Sequence, residues 1–378
     1  MGRAERNPSI QARHMDNRNS IKTTKPLRYG YTTGACATAT SLAAATLLLT
    51  DNYAPETLIS LPRGQHVKFA IDHCHRLGQD SATANTIKDA GDDPDVTHGA
   101  VIRATVQLSN TADIQFFAGP GIGTVTKAGL ALAIGEPAIN PVPRQMISQH
   151  LQQLAQKNHY SKGFKVTIAI DHGQQLAQKT MNARLGILGG LSILGTTGIV
   201  RPFSCSAYIA SIHQSIDVAI ANGADHLIGC TGSSSEQTIK QHYQLADFCY
   251  IEMGDFVGAV LKYLRKRPIP RLTLAGGFGK FCKLAAGHVS LHSHHSSIDF
   301  EFLKTQSAVL NASPHLQAQI LQANTSQHVL TLAQQENLPL GNHLAKLARQ
   351  QVSRKLHTDT QLKIYLINKQ NQIVGSAG

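Results

Sequence analysis

The sequence predicts two domains, an α+β domain followed by a doubly wound α/β domain. Three observations carry this. The 378 residues exceed what one hydrophobic core serves, since cores stop growing near about 250 to 300 residues. The first half alternates apolar and polar residues around an alanine-rich helical run. The second half repeats an apolar run, a glycine and a helical segment, the rhythm of a parallel sheet with crossover helices.

Residues 1–26 are rich in Asn, Arg and Thr, close at Pro26 and show no periodicity, so they read as a disordered basic tail. Domain one spans 27–185. In it, Thr32-Thr33-Gly34 leads into a helix over Ala35–Leu49, because the alanine run has high helix propensity and no interior breaker. Leu58–Leu61 and Val67–Ile71 flank a Pro-Arg-Gly turn as a hairpin. Ala100–Leu108, Ile114–Phe117 and Phe164–Ile170 read as strands, and Pro141 and Pro143 suit the first turn of a helix through Leu154. Domain two spans 186–378. Its strand and helix pairs are Ile187–Leu194 with Ala207–Ala221, Leu227–Cys230 with Ser235–Tyr243, Cys249–Met253 with Phe256–Arg265, and Leu272–Ala275 with Phe281–Ala286. This alternation is Rossmann-like. A helical stretch over Phe300–Arg349 and a closing strand or hairpin over Leu362–Gly375 complete it.

Composition narrows the function. Apolar residues make up 42% of the chain, enough to bury a core, and no apolar stretch suits a bilayer. Charged residues are only 15%, yet Lys and Arg outnumber Asp and Glu by 35 to 23, a net +12, which points to an anionic partner. Part of the excess belongs to the tail, since residues 1–28 hold seven Lys or Arg against two acids. Six cysteines without a C-x-x-C pair read as small buried hydrophobes in a reducing compartment, the cytoplasm. With 5% aromatics and no Trp, a nucleic-acid surface is disfavoured. No G-x-S-x-G, H-E-x-x-H or kinase signature occurs.

The densest polar signal is the run Lys88 to Gly99. It places Asp89, Asp92, Asp93, Asp95 and His98 on one Gly/Pro-turned loop, where like charges raise one another's pKa. Such a loop suits acid/base work, metal binding or stabilisation of a cation, or is a solvated acidic turn. Asp92-x-x-Asp95 with His98 lacks the ligand spacing of an EF-hand. Two turns, Thr32-Thr33-Gly34 and Gly195-Thr196-Thr197-Gly198, would offer amides and hydroxyls to an anion at a helix start, or are ordinary caps. In the second half, Thr231-Gly232-Ser233, Glu252 with Gly254 and Asp255, and Gly276, Gly277 and Gly279 end successive strands. Ligands of open parallel sheets bind at such carboxyl ends, so these loops should line one crevice. His288, His292, His294 and His295 lack matching cysteines or carboxylates and read as a polar surface loop. A nucleotide-dependent phosphoryl-transfer enzyme and an RNA-binding protein are the competing readings.

Longer strings are more specific. Arg28-Tyr29-Gly30-Tyr31-Thr32-Thr33-Gly34, the Lys88–Gly99 loop, Gly135-Glu136-Pro137-Ala138-Ile139-Asn140-Pro141, Thr180–Ile187, Gly189–Pro202 and Gly276-Gly277-Phe278-Gly279-Lys280 resemble the CbiD family, cobalt-precorrin-5B C1-methyltransferases of anaerobic cobalamin biosynthesis. The resemblance implies transfer of a methyl group from S-adenosylmethionine to C1 of a polyanionic corrinoid precursor, giving cobalt-precorrin-6A. It implies that cobalt arrives inside the substrate, with no metal held by protein ligands. On this reading Gly195, Thr196, Thr197, Gly198, Thr231, Gly232, Ser233, Glu252, Gly254, Asp255, Gly276, Gly277 and Gly279 hold the methyl donor. Thr32, Thr33, Gly34, Lys127, Arg144, Arg184 and Arg201 hold the substrate's carboxylates, and the Asp89–His98 loop faces the transfer centre. The sequence leaves homo-oligomerisation open.

Overall fold

A computed structural model of the chain describes residues 26–378; the tail expected over 1–26 lies, apart from Pro26, outside them. The chain divides into two compact units, one reaching Ser204 and one running from Cys205 to Gly378.

The first unit contains β1 (Gly30–Tyr31), α1 (Thr33–Thr50), β2 (Glu56–Ser60), β3 (His66–Ala70), β4 (His73–Arg76), β5 (Ser81–Ile87), β6 (Val101–Leu108), β7 (Ile114–Ala118), β8 (Thr124–Val125), α2 (Pro141–Lys157), β9 (Phe164–Ile170), α3 (Gly173–Ala177), β10 (Ile187–Leu188) and β11 (Ile199–Val200). Its main sheet runs β4-β5-β6-β9-β7, antiparallel except where β7 lies parallel to β9. α1 packs across β5 and β6 and beside α2. Its small side chains explain the close fit: Ala35, Ala39 and Ala44 are fully buried, as are Ala82, Ala84, Ala104 and Ile102 on the sheet beneath. Among the described residues α1 is the one helix long and apolar enough to cross a membrane, and 78% of that window is buried inside the unit.

Residues 186–204 fall in this unit, which moves the boundary expected at 185/186. The strand expected over Ile187–Leu194 shrinks to β10, which pairs antiparallel with β8. The reason is the backbone. Gly189 takes positive φ, which interrupts the extended run, and Leu191 and Ile193 donate instead to the carbonyls of Gly121 and Ala138, both at 2.8 Å.

The second unit contains α4 (Cys205–Ala221), β12 (His226–Cys230), α5 (Ser233–Lys240), β13 (Tyr250–Glu252), α6 (Val257–Leu264), β14 (Arg271–Gly277), α7 (Phe278–Ala285), α8 (Phe300–Val309), α9 (Pro314–Leu321), α10 (Ser326–Gln335), α11 (Leu340–Ser353), β15 (Gln361–Ile367) and β16 (Ile373–Ala377). The sheet order is β13-β12-β14-β15-β16. The first four strands are parallel and β16 closes the edge antiparallel. Alternation assigns the two faces: Leu227, Leu272, Leu274, Ile364 and Leu366 join the core under α4, α6, α7 and α11, while Ile228, Cys230, Ala275 and Ile367 pack with Ile239 of α5. Both faces are covered, as a parallel sheet requires. Five cysteines are buried as expected, whereas Cys205, at the start of α4, is exposed.

Candidate functional site

The three expected loops of the second unit end adjacent strands, because β13, β12 and β14 are neighbours in parallel register. Lys280, in the first turns of α7, joins them. Its ammonium lies 2.9 Å from Asp255 Oδ1 and donates to the Thr231 carbonyl at 3.3 Å. Gly276 lets the end of β14 close on this cluster, since a Cβ there would meet Phe281 and Thr231 side-chain atoms at 2.3 and 2.6 Å. By contrast, a side chain at Gly232 or Gly277 would meet nothing within 4 Å, so open space lies above both. Gly279 faces Ser326 of α10 instead.

Two further residues belong here that the glycine pattern did not mark. The Tyr208 hydroxyl approaches Gly254, and burial together with the charges of Glu252 and Asp255 pushes its pKa up. Lys283 is buried and donates to Leu291 O at 3.0 Å; burial pulls its pKa down against the opposing charge of Asp255. Their signal was chemical rather than periodic: a tyrosine and a lysine on core-facing helix turns.

The polar signals of the first unit converge on the segment Arg28–Gly34, but largely to satisfy one another. The two Thr-Thr-Gly turns meet. Thr32 N donates to Gly198 O and Gly34 N to Leu194 O, both at 3.0 Å. Thr33 Oγ1 accepts from Leu194 N at 3.0 Å, and Thr32 caps α1 by accepting from Ala35 N at 3.2 Å. This corrects two expectations. The Thr32 and Gly34 amides, expected to be offered to an anion, are spent on the carbonyls of Gly198 and Leu194. Gly195, Thr196, Thr197 and Gly198, expected at the second sheet, belong to the first unit, and Gly195 lies so close to Thr32 that a Cβ would sit 2.4 Å from its side chain.

The acidic loop is likewise partnered. Arg28 pairs with Asp89, and its amide donates to Asp92 at 2.6 Å. Phe203 N donates to Asp93 at 2.9 Å. Lys88, 1% exposed, lies 2.7 Å from Asp95, which also accepts from the Thr97 amide and hydroxyl. Crowded carboxylates were expected to raise one another's pKa. Instead, the hydrogen bonds from Arg28 and the Gly91 amide hold Asp89 at about 2. For Asp95 burial favours the neutral acid, but the Lys88 charge and the Lys88 and Thr97 hydrogen bonds outweigh it and hold the carboxyl below its ordinary value. Of the loop's carboxylates and its histidine, Asp92 and His98 are exposed.

The expected substrate cations separate. Arg144 turns inward: its Nε, Nη1 and Nη2 donate to Ile139 O, Glu136 Oε1 and Pro137 O at 2.7, 3.1 and 3.1 Å, clamping the turn before α2. Lys127 lies along Gly186, next to the turn carrying Arg184. Arg201 is exposed with its guanidinium over the Tyr29 ring, 5.7 Å from its centroid. His292 and His294 stack with centroids 5.1 Å apart. Among the described residues no group of three or more His, Cys, Asp or Glu could hold a metal ion.

The chain is of mixed α/β class, and the glycine loops gathered at the carboxyl edge of its covered parallel sheet are the candidate small-molecule site. The CbiD family model matches residues 20–202, and that of the CbiD C-terminal domain matches residues 290–378. The chain belongs to the CbiD family. It is 57% identical to a protein of Burkholderia cenocepacia and 57% identical to one of Pseudomonas putida, each named cobalt-precorrin-5B C(1)-methyltransferase, and in both cases 93% of this chain and 97% of the relative are covered. The solved CbiD cobalamin biosynthesis protein of Archaeoglobus fulgidus is 26% identical, with a TM-score of 0.39 over 71% of this chain and 83% of that one.

Proposed function

We propose that the chain transfers a methyl group from S-adenosylmethionine to C1 of cobalt-precorrin-5B, giving cobalt-precorrin-6A, and that its second unit binds the donor at its strand ends as a Rossmann-like domain does. The observation that carries this is the cluster at the carboxyl ends of β12, β13 and β14, tied together by Lys280. The cluster fits the donor. Open space above Gly232 and Gly277 admits a ligand against the backbone, and the carboxylates of Glu252 and Asp255 suit ribose hydroxyls and a nearby cation.

The donor supplies an electrophilic methyl on a sulfonium, which leaves as neutral S-adenosylhomocysteine. The protein's task is alignment and exclusion of water. Thr231, Gly232 and Gly277 fix the approach, and Lys280 holds Asp255 in one place. In the first unit, Arg201, Lys127 and Arg184 are assigned to the substrate's carboxylates, where charge-assisted contacts to anions are strongest. Asp92 and His98 are the members of the acidic loop assigned to face the substrate. Cobalt belongs to the substrate and needs no protein ligand.

Calorimetry with S-adenosylhomocysteine tests the reading. Saturable binding that is lost in a Gly277→Val protein of unchanged fold is the expected result, and absence of binding to the wild-type chain overturns it.

A further inference from the structure

Beside the strand-end cluster, the second unit holds a cavity of about 480 Å³ between α4, α6 and the segment at Val289. Its size is that of a small-molecule site. Ile209, Phe256, Ala259 and Val289 give it apolar walls, and Asp255 is shared between the cavity and the cluster. The Tyr208–Phe256 ring pair, centroids 5.3 Å apart, runs from Gly254 to the cavity wall. Glu252 ends β13 about twenty residues after Gly232, the separation at which an acid following the first glycine turn of a dinucleotide-binding sheet meets a ribose. At the mouth stand the exposed side chains of Lys262 and Lys266.

We infer that this cavity takes the adenine ring of the methyl donor, with the ribose hydroxyls turned to Glu252 and Asp255. The inference rests on the proposed use of S-adenosylmethionine and adds the direction in which the donor lies. The donor has a neutral flat end and a cationic end. A wall of Phe256 and aliphatic carbons receives the flat heterocycle, burying its faces and stacking it on an aromatic ring. Positive charge at the mouth repels the sulfonium and ammonium, which the carboxylates of Glu252 and Asp255 attract. The methyl group then lies on the Thr231–Gly232 side, away from α6.

Two variants test this. Ala259→Phe fills the cavity from α6 and should weaken binding of S-adenosylhomocysteine by about tenfold or more, measured by calorimetry, with the unliganded unfolding midpoint unchanged. The chain contains no Trp, so Lys262→Trp places a single tryptophan, excited selectively over the tyrosines, at the mouth. Its emission should change on titration with adenosine and with S-adenosylhomocysteine, and not with methionine. Wild-type affinity in Ala259→Phe overturns the inference. Should that variant fail to fold, a Lys262→Trp emission that stays constant at S-adenosylhomocysteine concentrations saturating by calorimetry overturns it instead. Either result leaves the methyl-donor reading standing, whereas a wild-type protein that binds no S-adenosylhomocysteine removes both.

Discussion

Lys88 shows how a polar motif can be structural at one residue and exposed at the next. With 1% of its side chain exposed against Asp95, it is a buried cation whose partner offsets the cost of dehydration. Asp95→Asn leaves that cation unpaired and should destabilise the protein by about 3 to 5 kcal/mol, read from urea unfolding at neutral pH. Acid tests the same pair. Asp89 and Asp95 are both held below the ordinary carboxylate value, so their pairs stabilise the fold fully above about pH 4. That stability is lost as pH falls through the folded values, about 2 for Asp89. Unfolding free energies followed down to about pH 2 should therefore decline for the wild type, with a smaller decline in Asp95→Asn. The crowded aspartates were legible in the sequence. Their donors from outside the loop were not, because Arg28 and Phe203 lie far along the chain from it.

At the scale of elements, adjacent glycines of one loop do opposite work. Gly276 closes β14 against Thr231 and Phe281, so Gly276→Val should cost about 1 to 3 kcal/mol through overpacking, seen as a lower urea midpoint. Gly277 faces open space, so Gly277→Val should keep the wild-type midpoint while weakening S-adenosylhomocysteine binding in calorimetry. Elements with strong periods were readable: the hairpin of β2 and β3, the strands β6 and β9, and the helices α1 and α2 stand within a few residues of expectation. β4 and β5 were missed. His-Cys-His-Arg and Ser-Ala-Thr-Ala-Asn-Thr-Ile carry little hydrophobic contrast, and β5 is a core strand because small residues let α1 lie directly upon it. The Ile187–Leu194 run failed the other way, its apolar character serving loop packing rather than a strand.

For the whole molecule, the basic balance of +12 on a chain with only 15% charged residues suits the polyanionic corrinoid proposed as substrate. The Michaelis constant for the corrinoid should rise with ionic strength. Arg201→Ala should raise it further, a lost charge-assisted contact being worth about 1.5 to 3 kcal/mol, whereas removal of residues 1–25 should leave it near the wild-type value in the same steady-state assay. The strand-end loops of the second unit were legible because parallel sheets expose glycine turns at one edge. The meeting of the Thr-Thr-Gly turns was hidden, since pairing of β1 with β11 depends on a register no local pattern encodes.

That pairing sets a timetable. Gly30 faces Val200 and Tyr31 faces Ile199, so the earliest strand of the first unit, though bridged to the acidic loop through Tyr29 and Gly91, waits for the last before it acquires a strand partner. During synthesis α1 emerges early, apolar on most sides, and the elements that cover it, β5, β6 and α2, arrive over the next hundred or so residues. Contacts of such large sequence separation slow folding. The nascent chain therefore exposes a helix of membrane-like hydropathy until the sheet is assembled. Ribosome-bound chains ending before residue 199 should consequently resist protease less well over Arg28–Gly34 than chains extended beyond Arg201, with the seam between the two turns forming as the closing step.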